Sequence, residues 1–371
     1  MLVGILKEIK VLEKRVAMTP AGVVAMVANG HEVIVEKDAG AGAGFPDAEY
    51  VAAGAKIIDT PAEVYAAADM VMHVKEPQPS EYDMIREDQI VFTYLHLAAD
   101  EPQTNGLIKS KSVCIAYETI EKDNGSLPLL VPMSEVAGRM AAQQAAKYLE
   151  MPQGGMGVLL GGVTGVEPAT VVVIGGGVVG INAAKMACGL GAKVYILDTN
   201  LERLAYLDDV MPANCFPMMS NAGVLAEMVK KADAVIGAVL IAGAKAPKLL
   251  TRDMLKTMKD GAVIVDVAID QGGCFETSKA TTHEEPVFEV EGVTHYCVAN
   301  MPGAVARTST AALTNATLPY AIEIANKGWK KAMEDNNEIK LGANVIKGKV
   351  VYKAVSEAFG LDYTPVDEFL N

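Results

Sequence analysis

One run of glycines and four scattered polar side chains have the types and positions that chemistry needs. The run GGGVVG puts glycines at 175, 177 and 180, in the G-x-G-x-x-G spacing. Gly175 permits a tight turn, Gly177 lets the backbone approach a diphosphate, and Gly180 lets a helix pack closely on a strand. A diphosphate there would rest on free N–H groups at the positive end of the helix dipole. Asp198, at the end of the next strand, can accept from both hydroxyls of a ribose and would repel a 2′-phosphate, which favours NAD(H) over NADP(H). Among the scattered residues, Arg15 suits a bidentate pair with a substrate carboxylate. Lys75 suits polarisation of a carbonyl, His96 suits proton exchange near neutral pH, and Asp270 suits the ordering of a water or an amine. This set fits oxidation of a carbon bearing a hydroxyl or an amino group beside a carboxylate. It leaves the choice between the two open.

Strands and helices must position these groups. Val171 to Ile174 is a buried apolar run, Val178 to Leu190 is a helix closed by Gly191, and Lys193 to Leu197 is the following strand. A strand before the glycines, a helix after them and an acid ending the next strand give the fingerprint its specificity. Further strands are expected at 234–239, 262–267 and 293–298. The first part of the chain alternates in the same way, with strands at Leu2 to Leu6, His31 to Glu36, Lys56 to Ile58, Met70 to Val74, Ile90 to Leu95 and Val113 to Tyr117. Thr19-Pro20 reads as a helix N-cap followed by proline. Long helices are expected near 133–150 and 307–327.

The fold class expected is α/β, with two doubly wound Rossmann-like domains whose parallel sheets are separated by a cleft and bridged by long helices. Residues 1–130 with 307–371 would form a substrate domain, and 131–306 an NAD-binding domain. The segment 329–371 shows no strand set of its own. The GAGAG stretch at 40–44 reads as a mobile loop, and the glycine-rich segment 154–165 as an extended arm or hairpin. Ligands in such sheets bind outside the carboxyl ends of the strands. That rule singles out Arg15, Lys75, His96, Asp270, Val239, Leu240, Asn300 and Met301. His31, His73, His283 and His295 read as structural.

Composition narrows the classes. The chain has 371 residues, is 51% hydrophobic, and carries a formal charge of −14 from 32 basic and 46 acidic residues. Its acidity and the lack of any basic run argue against nucleic acid as a partner. No apolar stretch reaches membrane-spanning length and no signal peptide is evident, so a cytoplasmic protein is expected. Five cysteines without C-x-x-C pairing read as reduced thiols, and no metal site is expected.

Longer motifs then carry a resemblance. KEIKVLEKRVAMTPAGV, VKEPQPSEYDMIREDQIVFTYLHLA, LLGGVTGVEPATVVVIGGGVVGINAAKMACGLGAKVYILD, DVAIDQGGCFETS and VANMPGAVARTST strongly resemble the L-alanine dehydrogenase family, across essentially the whole chain. The resemblance implies NAD-dependent oxidative deamination of L-alanine to pyruvate and ammonium, and the reverse reductive amination. It implies substrate binding by Arg15 and Lys75, acid–base work by His96, and action of Asp270 on ammonia and the carbinolamine. It implies cofactor contacts at Ser134, Gly175, Gly177, Gly180, Asp198, Arg203, Ser220, Val239, Leu240, Asn300 and Met301, and a homohexamer. The wider family also contains the soluble NAD(H)-binding component of proton-translocating transhydrogenase, which is one alternative. A non-catalytic NAD-binding protein is another, and the generic chemistry alone would allow a 2-hydroxy-acid dehydrogenase. Retention of the whole Arg–Lys–His–Asp set counts against the first two.

Overall fold

The structure is a computed structural model that describes residues 1–239 and 246–370. In chain order its strands are β1 (Leu2–Ile5), β2 (Glu32–Glu36), β3 (Lys56–Ile58), β4 (Met70–Met72), β5 (Ile90–Thr93), β6 (Val113–Ala116), β7 (Thr170–Ile174), β8 (Lys193–Asp198), β9 (Cys215–Met219), β10 (Ala234–Gly237), β11 (Val263–Asp266), β12 (Val287–Val290), β13 (Val293–Tyr296), β14 (Ala343–Ile346) and β15 (Lys349–Val350). The helices used below are α1 (Pro20–Ala28), α2 (Pro61–Ala67), α3 (Glu101–Ser110), α4 (Val131–Tyr148), α5 (Val178–Gly189), α6 (Leu201–Val210), α7 (Ala222–Lys231) and α8 (Ala306–Asp335).

The chain forms two compact units, Met1–Met133 with Val305–Asn371, and Ser134–Ala304. The first holds an eight-stranded sheet in the order β15-β14-β6-β5-β4-β1-β2-β3. Its strands β3 to β6 run parallel through β2, β1, β4 and β5, and β14 and β15 complete the sheet antiparallel. Every residue of β4, β5 and β6 is buried, as a parallel sheet covered on both faces requires. Its core packs Leu6, Val64, Tyr65, Val71, Val91, Leu95, Cys114 and Val345 together.

The second unit holds a seven-stranded sheet in the order β12-β13-β11-β10-β7-β8-β9. All neighbours are parallel except β12. Val172, Ile174, Leu197, Val235, Ile264 and Phe275 lie in its core. In each unit the strand order reverses beside the first strand, at β1/β4 and at β7/β10. Those are the points where the crevice outside the carboxyl ends opens.

Several expectations need correction. The 329–371 segment does contribute strands, since β14 pairs with β6 and turns through Lys347-Gly348 into β15. Both turn residues have positive φ, 50° and 79°, the geometry of a two-residue hairpin turn. Strand β12 is likewise beyond the expected set, and it enters β13 through Glu291-Gly292, at φ 51° and 73°. Strand β9 contains Pro217, which suits its place at the sheet edge and hides it from a propensity reading.

The GAGAG stretch is a built turn, with one 3-10 turn over Ala41–Ala43 and Ala43 buried. A Cβ at Gly40 would lie 2.6 Å from the Phe45 carbonyl oxygen and from the Tyr50 ring. Packing therefore accounts for that glycine. Residues 154–165 form turns joined by one antiparallel bridge, Val163 to Val166, and leave Leu159, Val163 and Val166 exposed. The helix expected to end at Lys327 does so in effect, because Gly328 breaks α8 at φ 72°, ψ 157°.

Candidate active site

In the first unit, Arg15 follows β1, Lys75 follows β4 and His96 follows β5, three adjacent strands. Arg15 is 2% exposed, and its Nε and Nη2 donate to the Glu13 carboxylate at 2.7 and 2.6 Å. The bidentate edge expected to meet a substrate is thus held by Glu13. Nη1 donates to Met133 Sδ at 3.1 Å. Burial alone would lower the Arg15 pKa, but the hydrogen bond and charge of Glu13 outweigh it and the guanidinium is held above its ordinary value.

Lys75 is half-buried. Its backbone N–H donates to Glu8 Oε2 at 3.3 Å and its carbonyl accepts from Thr93 Oγ1 at 2.9 Å.

His96 is a left-handed residue, φ 51°, ψ 37°, with its side chain 49% exposed. Glu118 holds this unusual backbone. Its Oε1 accepts from His96 N at 2.5 Å, and both its oxygens accept from Leu95 N at 3.1 Å. The imidazole stacks on Tyr94 with an interplanar angle of 4° and a centroid distance of 5.9 Å. A non-glycine residue in this conformation, at a strand end and over-determined by its neighbours, is where functional strain is found.

In the second unit, the glycine turn follows β7 and leads into α5. Gly175 needs its freedom, having φ 103° with Ala238 O only 2.8 Å from where a Cβ would stand. A Cβ on Gly180 would lie 1.8 Å from the Gly175 oxygen. Gly177 differs, because nothing lies within 4 Å of its Cβ position and its φ of −68° suits any residue. The protein's own packing does not demand a glycine there, whereas a diphosphate at close range would. The N-terminus of α5 also lacks a side-chain cap, while Thr19, Thr60, Asp100, Asn200 and Asn221 cap α1, α2, α3, α6 and α7. These features fit a dinucleotide.

Asp198 Oδ2 accepts from Gly176 N at 2.7 Å and Oδ1 from Asn200 N at 2.9 Å, which fixes the carboxylate and leaves lone pairs on both oxygens. Arg203 Nε donates to Gly176 O at 2.5 Å. Ser220 N donates to Asp198 O at 2.8 Å, which sets Ser220 at the end of β9. Val239 follows β10, Asn300 follows β13 at φ 60°, and buried Met301 opens the next turn. Asp270 is exposed on the 3-10 turn Val267–Gln271 after β11, and Ser134 is half-buried on α4. Leu240 lies outside the described residues.

The family models for the N-terminal and C-terminal domains of alanine dehydrogenase/PNT match residues 4–137 and 141–353. The chain belongs to the alanine dehydrogenase/PNT family. It is 58% identical to the alanine dehydrogenase of Methanococcus maripaludis over 372 residues, with 100% of both chains covered. Among solved structures, an L-alanine dehydrogenase has TM-score 0.94 at 49% identity, over 97% of this chain and 99% of that one. A transhydrogenase from Sinorhizobium meliloti has TM-score 0.81 at 28% identity, over 95% and 100%.

Sequence reasoning missed four carboxylates that hold the site's residues. Glu13 grips Arg15, Glu118 holds the His96 backbone, and Glu8 holds that of Lys75. In the other unit Asp266, fully buried, accepts from Ala268 N, Cys274 N and Ser278 Oγ, and so shapes the loop that carries Asp270. Glu13 was within reach of the sequence, lying two residues before an arginine. The others are joined to their partners only by the fold.

Proposed function

We infer that the chain catalyses L-alanine + NAD⁺ + H₂O ⇌ pyruvate + ammonium + NADH + H⁺. The observation that carries the reading is the placement of Arg15, Lys75 and His96 at the carboxyl ends of three adjacent strands, in a member of this family. NAD(H), when bound, supplies hydride transfer to and from the substrate carbon.

The substrate carboxylate meets Arg15 at Nη1, exchanging the weak thioether acceptor Met133 Sδ for an anionic oxygen while Glu13 keeps the other edge fixed. Lys75 Nζ draws electron density from the pyruvate carbonyl, which prepares its carbon for attack by ammonia. His96, exposed enough to exchange protons with solvent, takes a proton in deamination and returns it in amination. Asp270 holds the ammonia and the carbinolamine. The backbone N–H groups at the start of α5 would hold the diphosphate and Asp198 the ribose, with Arg203, Ser220, Val239, Asn300, Met301 and Ser134 as the further cofactor-binding residues.

We place the enzyme in a reducing, cytoplasmic compartment, a reading supported by five buried free cysteines. We also propose a homohexamer, supported by the family and by the exposed Leu159, Val163 and Val166. Light scattering at about six times the 39.1 kDa chain mass is expected, and a monomer would refute it.

The activity is tested by NADH oxidation with pyruvate, with and without ammonium. Oxidation that requires ammonium is expected. Turnover without it would indicate a hydroxy-acid enzyme, and none in either case a binding protein.

A further inference from the structure

Beneath Lys75 lies a buried cluster that the mechanism has not used. His73, on the last turn of chain before Lys75, is 2% exposed and sits between two carboxylates. Its Nδ1 donates to Glu8 Oε1 at 3.2 Å, and its Nε2 lies 3.3 Å from Glu81 Oε1 and 3.1 Å from Tyr65 Oη. Both acids also accept from backbone. Glu8 accepts from Val74 N at 2.6 Å and from Lys75 N at 3.3 Å, and Glu81 accepts from Gln78 N at 2.7 Å. The stretch from Val74 to Gln78 is therefore tied at both ends to one imidazole. Thr93 Oγ1, donating to the Lys75 carbonyl at 2.9 Å, holds the same residue from the opposite side.

Three buried ionisable groups in contact are costly unless they satisfy one another, and here each has a partner. We propose that Glu8 and His73 are positioning residues for Lys75. The Glu8–His73–Glu81 triad fixes the backbone at 74–78 so that the Lys75 ammonium stands where the substrate carbonyl binds.

The inference rests on the reading of Lys75 as a substrate-binding residue. His73 must carry a charge for the triad to hold. Burial disfavours that charge, yet Glu8 and Glu81 outweigh burial and raise its pKa to about 10. The same imidazolium keeps Glu81 below the ordinary carboxyl range against its own burial. The other ionisable groups that act on the triad are Tyr65 on α2 and Tyr117 after β6, both driven far upward by burial, Glu36 at the end of β2, raised by burial, and Arg15, whose charge reaches Glu8 but is already committed to Glu13. With His73 neutralised, Glu8 and Glu81 would face each other with no positive group between them.

The test compares Glu8→Gln, His73→Gln and His73→Lys with the wild type and with Lys75→Ala, each checked for folding by its thermal transition. Steady-state kinetics with pyruvate and ammonium, and NADH binding by fluorescence, are then measured. A displaced lysine is expected to lower kcat/KM for pyruvate by about ten- to a hundredfold in Glu8→Gln and His73→Gln, with NADH affinity within about twofold of wild type. The pH profile of kcat/KM should differ between His73→Gln and the wild type, because Glu81 loses the imidazolium that lowers its pKa. His73→Lys, which restores a cation, should recover most of the loss.

Glu8→Gln and His73→Gln that keep kcat/KM within about twofold of wild type, while Lys75→Ala is inactive, would overturn the positioning role alone. A fully active Lys75→Ala would instead overturn the reading of Lys75. If Glu8→Gln fails to fold, the pair His73→Gln and His73→Lys decides, and equal pH profiles and equal rates in the two would refute the proposal.

Discussion

The two units share one architecture and equip it in opposite ways. Each is a doubly wound parallel sheet whose strand order reverses beside its first strand. In the second unit the turn after that strand is a few glycines, and the site is made of backbone: a tight turn at Gly175, an open surface at Gly177 and an uncapped helix start. In the first unit the connection after β1 is long and charged, and the site is made of side chains held by other side chains. Arg15 is gripped by Glu13, and the Lys75 segment by the Glu8–His73–Glu81 triad. On the function proposed above, a diphosphate would be met by N–H groups that cost little to bury, and a small keto or amino acid by charges that the fold must first desolvate.

The comparison breaks first, and most severely, at Glu13. Glu13→Gln leaves a buried guanidinium without its counter-charge and should destabilise the protein by about 3–5 kcal/mol. A shift of the thermal midpoint by less than a degree or two would mean that Arg15 does not depend on Glu13. The glycines of the other unit should separate into two kinds. Gly180→Ala must push apart α5 and the Gly175 turn, at a cost of about 3 kcal/mol or more. Gly177→Ala should leave the thermal midpoint unchanged and weaken NADH binding at least about tenfold by fluorescence titration. Loss of stability in Gly177→Ala would show that packing, and not a ligand, requires that glycine.

Stability against pH sharpens the contrast further. The folded-state pKa of His73 is raised to about 10, so its contribution is fully present below the ordinary histidine value and fades as pH rises through about 10. The wild-type thermal midpoint should fall over that window, and in His73→Gln this fall should be largely gone above about pH 8. Identical slopes would mean that His73 is neutral in the folded protein. The smallest effect belongs to helix capping in the first unit. Thr19 Oγ1 accepts from Gly22 N at 3.2 Å, and Thr19→Ala should cost about 1 kcal/mol without changing NADH affinity.

What was legible in the sequence follows the same division. The glycine fingerprint, its strand, its helix and Asp198 lie within one short stretch, so local spacing encodes them. The parallel strands other than β9 were equally visible as apolar runs, and Thr19-Pro20 does open a helix. The antiparallel edges were not, because their hairpins turn on Lys347-Gly348 and Glu291-Gly292, pairs less distinctive than Asn-Gly. His73 reads in the sequence as an ordinary structural histidine. Glu8 is 65 residues away from it in sequence, and only the β1–β4 pairing brings the two together. Charges that position other charges leave no local pattern.

The division of labour between the units is tested most directly by one variant measured twice. Lys75→Ala is titrated with NADH and assayed for oxidation of NADH with pyruvate and ammonium. NADH binding close to wild type with turnover abolished is the expected result. Loss of binding and turnover together, or turnover that survives, would contradict a substrate site built from the side chains of the first unit.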